Sequence, residues 1–117
     1  MGLTYVEGTL SGPGGETADL EFLVDSGASY TLVPDGTWQR LGLRPVREIT
    51  LVLADGTHIP RQVSYCEIRL PQGAGPTPVI LGEPGDAPLL GVVTLENLGL
   101  ILNPLTRTLQ PMRMLLA

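Results

Sequence analysis

The chain of 117 residues contains no lysine, and only one histidine (His58), one cysteine (Cys66), one Phe and one Trp. Without lysine there is no P-loop phosphate cradle, no Schiff base and no Ser-Lys nucleophile. A lone histidine and a lone cysteine exclude a Cys-rich zinc site and an internal disulfide. A metal enzyme would have to use carboxylates, and no metal or other cofactor is expected. Seven Arg stand against twelve Asp plus Glu, a net charge of −5. Phosphate-backbone binding therefore has little electrostatic support, and nucleic acid is not expected as a partner. No basic segment followed by an apolar one opens the sequence, and Gly, Pro or a charge interrupts every apolar run before bilayer length. A soluble, cytoplasmic protein without a membrane partner is expected.

What is present suits a single domain over residues 1–117 with a core of its own, since 43% of residues are apolar and 16% charged. Fifteen Gly and eleven Pro are scattered between apolar runs, the punctuation of a turn-rich all-β protein. Thr4–Leu10 and Ala18–Asp25 read as an antiparallel hairpin joined by a long, mobile Ser-Gly-Pro-Gly-Gly-Glu-Thr turn. Small residues then form a tight loop before the β-rich run Tyr30–Val33. Pro34–Leu41 predicts a short helix, with Asp35 as cap, Gly42 as stop and Trp38 in the core.

Ile49–Ala54 and Thr57–Leu70 flank Asp55-Gly56, a dipeptide suited to a two-residue type I′ hairpin turn. In the returning strand Cys66, Ile68 and Leu70 alternate with Tyr65, Glu67 and Arg69, so one face is buried and Cys66 is a small core residue. Pro71–Pro78 reads as a loop, Val79–Leu81 as a short strand and Gly82–Pro88 as another loop. A second short helix over Thr94–Gly99, capped by Thr94, precedes the strand Leu100–Leu102. Asn103–Thr106 then turns the chain into a last hairpin ending near Met112.

The chemistry concentrates at Asp25, which ends an apolar strand inside a loop of Ser26, Gly27, Ala28 and Ser29 whose bare backbone another chain could approach closely. An Asp-Ser-Gly loop alone is also an ordinary Asx turn. Two further features accompany it: the Asp-Gly hairpin within Leu53-Ala54-Asp55-Gly56-Thr57, and the run Leu89-Leu90-Gly91 ahead of a short helix. In that combination and order the sequence resembles the retroviral-type, retropepsin-like (clan AA) single-domain aspartic proteases, over most of its length. Val24–Ser29 is similar to the family's active-site loop. Ala54, Asp55, Gly56 and Thr57 resemble the flap tip, and Leu89, Leu90 and Gly91 the second hydrophobic-hydrophobic-glycine signature.

The resemblance implies a retropepsin-like half-barrel with short helices that works as a two-fold homodimer, and an aspartic endopeptidase acting on extended peptides. Hydrolysis without a metal or a covalent nucleophile needs one carboxylate to take a proton from water while a protonated one polarises the carbonyl. Two carboxyls a few ångströms apart share one proton, and an acid-displaced, bell-shaped pH profile follows. This chain has one such loop, so the second carboxyl must be Asp25 of another copy. By resemblance Asp25 is the shared acid and base, Ser26 bonds across the dimer, and Gly27 admits substrate backbone. Retroviral enzymes carry Thr at the position of Ser26 more often than Ser, and Asp at that of Ser29. The same fold without turnover would be a dimeric peptide-binding module.

Other chemistries fit less well. Ser26 lacks a nucleophile elbow, and its sole available base, His58, lies on a hairpin. Glu83 and Asp86 sit in a Pro/Gly loop without glycosidase spacing to Asp25. Leu23, Val33, Leu53, Ile80 and Leu90 are candidates to line an apolar cleft. The apolar end Gln110–Ala117, with Met112, Met114 and Leu116, is expected to enter the dimer interface, as termini do in retroviral relatives.

Overall fold

A computed structural model describes residues 3–113, 115 and 116. The chain runs β1 (Tyr5–Ser11), β2 (Thr17–Val24), β3 (Thr31–Val33), α1 (Asp35–Arg40), β4 (Arg47–Val52) and β5 (His58–Leu70). It continues through β6 (Gly73–Leu81), β7 (Leu89–Leu90), α2 (Val92–Asn97), β8 (Leu100–Asn103) and β9 (Thr108–Pro111). The first seven strands form one sheet in the order β1-β2-β7-β3-β6-β5-β4, and an additional β1–β5 pairing closes it into a ring with β4 outside. Closure places Leu10 opposite Ile68, both buried. Phe22, Val33, Val79 and Leu90 fill the same interior, and each such side chain contributes roughly 1.5–3 kcal/mol by leaving water. The mostly β architecture expected from the Gly/Pro punctuation is the one observed. No helix among the described residues is long and apolar enough to cross a membrane.

The first hairpin pairs as expected, but its turn is not a loose one. Gly12 N–H donates to Glu16 O and Gly15 N–H to Gly12 O (2.8 and 3.1 Å), with Gly15 in the left-handed region. A Cβ on Gly12 would stand 2.0 Å from the Leu41 carbonyl oxygen, so this turn is pressed against the end of α1. The helix itself starts from Pro34 with no side-chain cap. Asp35 Oδ1 instead accepts from Gln39 Nε2 (2.9 Å), one turn on, while Gly42 ends the helix at positive φ as expected. Trp38 is half-buried against the core and donates its Nε1–H to Gly82 O (2.8 Å), which satisfies the indole where it meets protein.

Pro71–Pro78 is not a loop. Residues Gly73–Leu81 form one strand paired with β5 from Leu70↔Gly73 to Val63↔Ile80. Pro76 and Pro78 are tolerated because they share one edge of the strand, and β3 takes up that edge only from Val79 onward. In β5 the alternation holds: Cys66, Ile68 and Leu70 are buried, and Tyr65, Glu67 and Arg69 exposed. Burial, with Glu67 adding to it, pushes the Cys66 thiol up to about 12, which keeps it neutral and unreactive. The second helix starts two residues earlier than Thr94, from Gly91, because the Thr94 side chain is buried inside the fold and cannot cap. Gly99 ends it in the left-handed region.

β8 and β9 form a separate two-stranded sheet. Asn103 Oδ1 accepts from the Leu105 and Thr106 amides within their turn. Beyond β9, Met112 N–H donates to Gly99 O (2.6 Å), and Leu115 and Leu116 are exposed in the single chain. Met114 and Ala117 lie outside the described residues.

The β4–β5 hairpin turns at Asp55-Gly56 as the dipeptide predicts, but with another turn type. Gly56 N–H donates to Leu53 O and Leu53 N–H to Thr57 O (2.9 and 2.8 Å). Gly56 has φ +88 and Asp55 stays in the ordinary negative-φ region, so this is a three-residue loop with a glycine bulge rather than type I′. Asp55 avoids the left-handed region because its Oδ1 accepts the Thr57 amide (2.9 Å), tying the tip from within. Hydrogen bonds from Thr57, first its side chain and then its amide, hold the Asp55 carboxyl below its ordinary 3.8. A lowered folded-state value means that this tie is fully present above the ordinary value and is lost as pH falls through the lowered one. The Thr57 amide resonance is therefore expected to stay constant through mildly acid pH and to move only below the usual carboxylate range. A transition centred above about pH 5 contradicts the tie.

Candidate active site

Asp25 follows the last residue of β2, and two parallel pairs, Leu23↔Leu89 and Val24↔Leu90, carry it to the start of α2. Its amide donates to Leu90 O (3.1 Å), which fixes the backbone where the strand ends. Its Oδ1 accepts the Gly27 amide (2.8 Å), so the half-buried carboxylate is aimed by its own loop. A Cβ on Gly27 would stand 3.2 Å from that oxygen. A side chain here would press on the carboxylate, which would have to give by a few tenths of an ångström. The Ser26 and Ser29 side chains are exposed and have no hydrogen-bond partner among the described residues.

The loop is fastened from below by the second signature. Val92 and Val93 amides donate to Ala28 O and Ser29 O (both 2.9 Å). A Cβ on Gly91 would fall 2.4 Å from the Tyr30 carbonyl carbon and 2.8 Å from Ser29 O, so only a bare α-carbon lets the two segments touch. Beneath that contact runs a chain of buried hydroxyls. The Gly91 amide donates to Thr31 Oγ1 (3.0 Å), Thr31 lies 2.5 Å from Thr94, Thr94 lies 2.7 Å from Thr77, and Thr77 donates to Pro78 O (3.1 Å). Each hydroxyl has one proton, so with Thr77 spent on Pro78, Thr94 donates to Thr77 and Thr31 to Thr94. Every member is satisfied, and no buried side-chain polar atom is left without a partner among the described residues.

Opposite the loop stands the β4–β5 hairpin. Between them lies a cavity of about 620 Å³ lined by Gly27–Tyr30, Leu32, Ile49–Leu53, Ile80 and Leu89. It begins two residues beyond Asp25 and offers room for an extended, largely apolar segment. Of the lining residues expected from sequence, Leu53 and Ile80 are there. Val33 and Leu90 are fully buried in the core, and their neighbours Leu32 and Leu89 face the cavity instead, because successive strand residues point to opposite faces. Leu23 does not reach the lining. Two other depressions, of about 370 Å³ beside Asp19 and Arg69 and about 310 Å³ beside Trp38 and Arg61, lie away from Asp25.

The hairpin tip Ala54–Thr57 is exposed and follows Leu53, the last hairpin residue that lines the cavity. His58 is exposed, with no hydrogen bond to Ser26 among the described residues. Glu83 and Asp86 instead form ion pairs with Arg61 (3.3 and 3.5 Å). No cluster of three metal-ligating side chains occurs among the described residues. The threonine chain was not anticipated from sequence. The available signal was Thr94 inside the apolar run Val92–Leu95, a polar residue where the helix must face the core.

Thr94→Val preserves shape but strands the Thr31 proton and one Thr77 acceptor in a dry interior. The expected cost is about 1–3 kcal/mol in urea unfolding, with Thr94→Ser close to the parent. Equal stability of all three proteins contradicts the hydroxyl chain.

Residues 15–97 match the family described as "gag-polyprotein putative aspartyl protease". No curated protein sequence matches the chain significantly. Among solved structures, the solution structure of the Simian Foamy Virus (mac) protease is similar with a TM-score of 0.56 at 22% identity, over 79% of this chain and 91% of that one. That likeness shows the fold, and the match over more than two thirds of the sequence shows the family: the chain belongs to the gag-polyprotein-type, retroviral-like aspartyl proteases.

Proposed function

We propose that this protein is an aspartic endopeptidase whose active unit is a homodimer. In it, Asp25 of each copy supplies one of two carboxyls that share a proton and activate the attacking water. The observation that carries the reading is a single oriented carboxylate, held by the Gly27 amide two residues from where the lining of a largely apolar cavity begins, in a chain that has one such loop. One carboxylate cannot both accept the water's proton and donate to the carbonyl. A second copy related by a two-fold axis completes the pair.

In this reading the exposed Ser26 hydroxyl, unpartnered among the described residues, bonds to the facing loop, and Gly27 and Ser29 present backbone to an extended peptide. The Ala54–Thr57 tip closes over it as a flap and excludes water. The exposed Leu115 and Leu116 are covered in the dimer, with the chain end adding edge strands to the interface. The substrate is a peptide or protein segment with apolar side chains next to the reacting bond, and no cofactor takes part.

Asp25→Asn is nearly isosteric but cannot exchange a proton with water, so it is expected to abolish hydrolysis with fold and dimer retained. Hydrolysis by purified Asp25→Asn protein removes the proposal. Dimerisation and peptide binding by the parent without any hydrolysis leave a peptide-binding module instead. Specific activity is further expected to fall on dilution below the dimer dissociation constant. Deleting residues 113–117 is expected to shift sedimentation toward the monomer; an unchanged, fully active dimer shows that the end is not the clamp.

A further inference from the structure

Three residues that line the cavity, Leu89, Leu32 and Ile80, begin a lateral row across the sheet. Register pairs link Leu89 on β7 to Leu32 on β3, Leu32 to Ile80 on β6, Ile80 to Val63 on β5, and Val63 to Arg47 on β4. Paired residues point to the same face, so this row is apolar until its last member, which is a cation. Along β4, Arg47 also shares a face with Ile49 and Leu51, both of which line the cavity. With neighbouring strands about 4.8 Å apart, the Arg47 backbone lies roughly 19 Å along the curved sheet from Leu89, outside the cavity lining and two residues along β4 from Ile49.

Arg47 is exposed yet not loose. Its Nη2 donates to the Tyr30 hydroxyl (3.2 Å), and Tyr30 itself lines the cavity. Tyr65, two residues from Val63 and thus on the same face of β5, lies near it. The Tyr65 and then the Tyr30 hydroxyl, as acceptors for the guanidinium, move its pKa further above the ordinary value, so the charge is permanent. No carboxylate neutralises it: the ion pairs among the described residues are those of Arg61. Glu48, next in sequence, points to the opposite face and accepts from Gln62 Nε2 (3.0 Å). A guanidinium bonded to the Tyr30 hydroxyl, with donors to spare, beside a largely apolar cavity fits a planar carboxylate. The chain's net charge of −5 opposes acidic ligands in general, so any preference for one must be local.

We infer that Arg47, steadied by Tyr30, is a specificity-determining residue that selects extended peptides with Asp or Glu at one outer position, beyond the apolar residues flanking the reacting bond. This rests on the peptide-cleaving reading of the same cleft and names the substrate class within it.

The test separates the two by measuring binding apart from turnover. Fluorescent octapeptides with apolar central residues, and Glu, Gln or Lys scanned through the outer positions, are titrated into full-length Asp25→Asn protein. The same set is offered to the parent for cleavage. Glu at one outer position is expected to bind roughly two- to fivefold tighter than Gln, the size of an exposed charge pair, and the gain should shrink with added salt. Arg47→Lys should keep part of the preference, Arg47→Met lose it, and Arg47→Glu turn it toward Lys, with Arg40→Gln on the exposed side of α1 as the neutral control. Equal binding of the three peptides, or a Glu preference that survives in Arg47→Met, overturns the inference while cleavage by the parent leaves the proposed function standing. Selective binding without cleavage does the reverse, and neither binding nor cleavage of any peptide sinks both.

Discussion

The site depends on how closely the Ser29–Tyr30 backbone approaches Gly91. That approach, too tight for any Cβ, lets Val92 and Val93 amides hold Ala28 and Ser29 carbonyls, and so fixes the loop that aims Asp25. It also brings Thr31 over α2, where its hydroxyl joins Thr94 and Thr77 and ties three distant parts of the chain into one satisfied polar chain. In a dry interior such a chain is worth having only if complete, since each stranded hydroxyl carries its full desolvation cost. The carboxylate's orientation is thus a property of packed backbone rather than of a flexible side chain, the kind of rigid support that a reacting group needs.

Much of this arrangement is legible in the residues themselves. The alternation of Cys66, Ile68 and Leu70 with exposed partners, the Asp55-Gly56 turn, the stops at Gly42 and Gly99, and the small-residue loop after Val24 each reflect a local constraint visible in a few residues. What was not legible depends on partners far along the chain. Gly73–Pro78 looks like a loop because it is rich in Gly and Pro, and becomes a strand because β5 supplies a ladder and leaves the proline edge unneeded. Thr94 looks like a cap and is instead buried beneath the site. The cleft lining was misassigned at Val33 and Leu90 because a one-residue shift along a strand exchanges core for cavity, and only the register decides which face is which.

Charge is used sparingly and by position. Arg61 holds Glu83 and Asp86 beside the base of the β4–β5 hairpin, and Asp55 ties the hairpin's tip through Thr57. Arg47 stands at the end of an otherwise apolar row. In an acidic chain without lysine, these few cations and carboxylates mark the β4–β5 hairpin and the cleft rather than the core.

The chain folds a complete cavity but only one carboxylate to serve it, so the account stands or falls on the sharing of a site between two copies. Mixing parent and Asp25→Asn protein, letting subunits exchange, and measuring hydrolysis tests this directly. If each site needs both carboxyls, an equimolar mixture keeps about a quarter of the activity of the same total amount of parent, because mixed dimers are dead under random pairing. Retention of about half, as for chains that act alone, or of about three quarters, as for a shared site that needs one carboxyl, would show that one Asp25 suffices and would contradict the account.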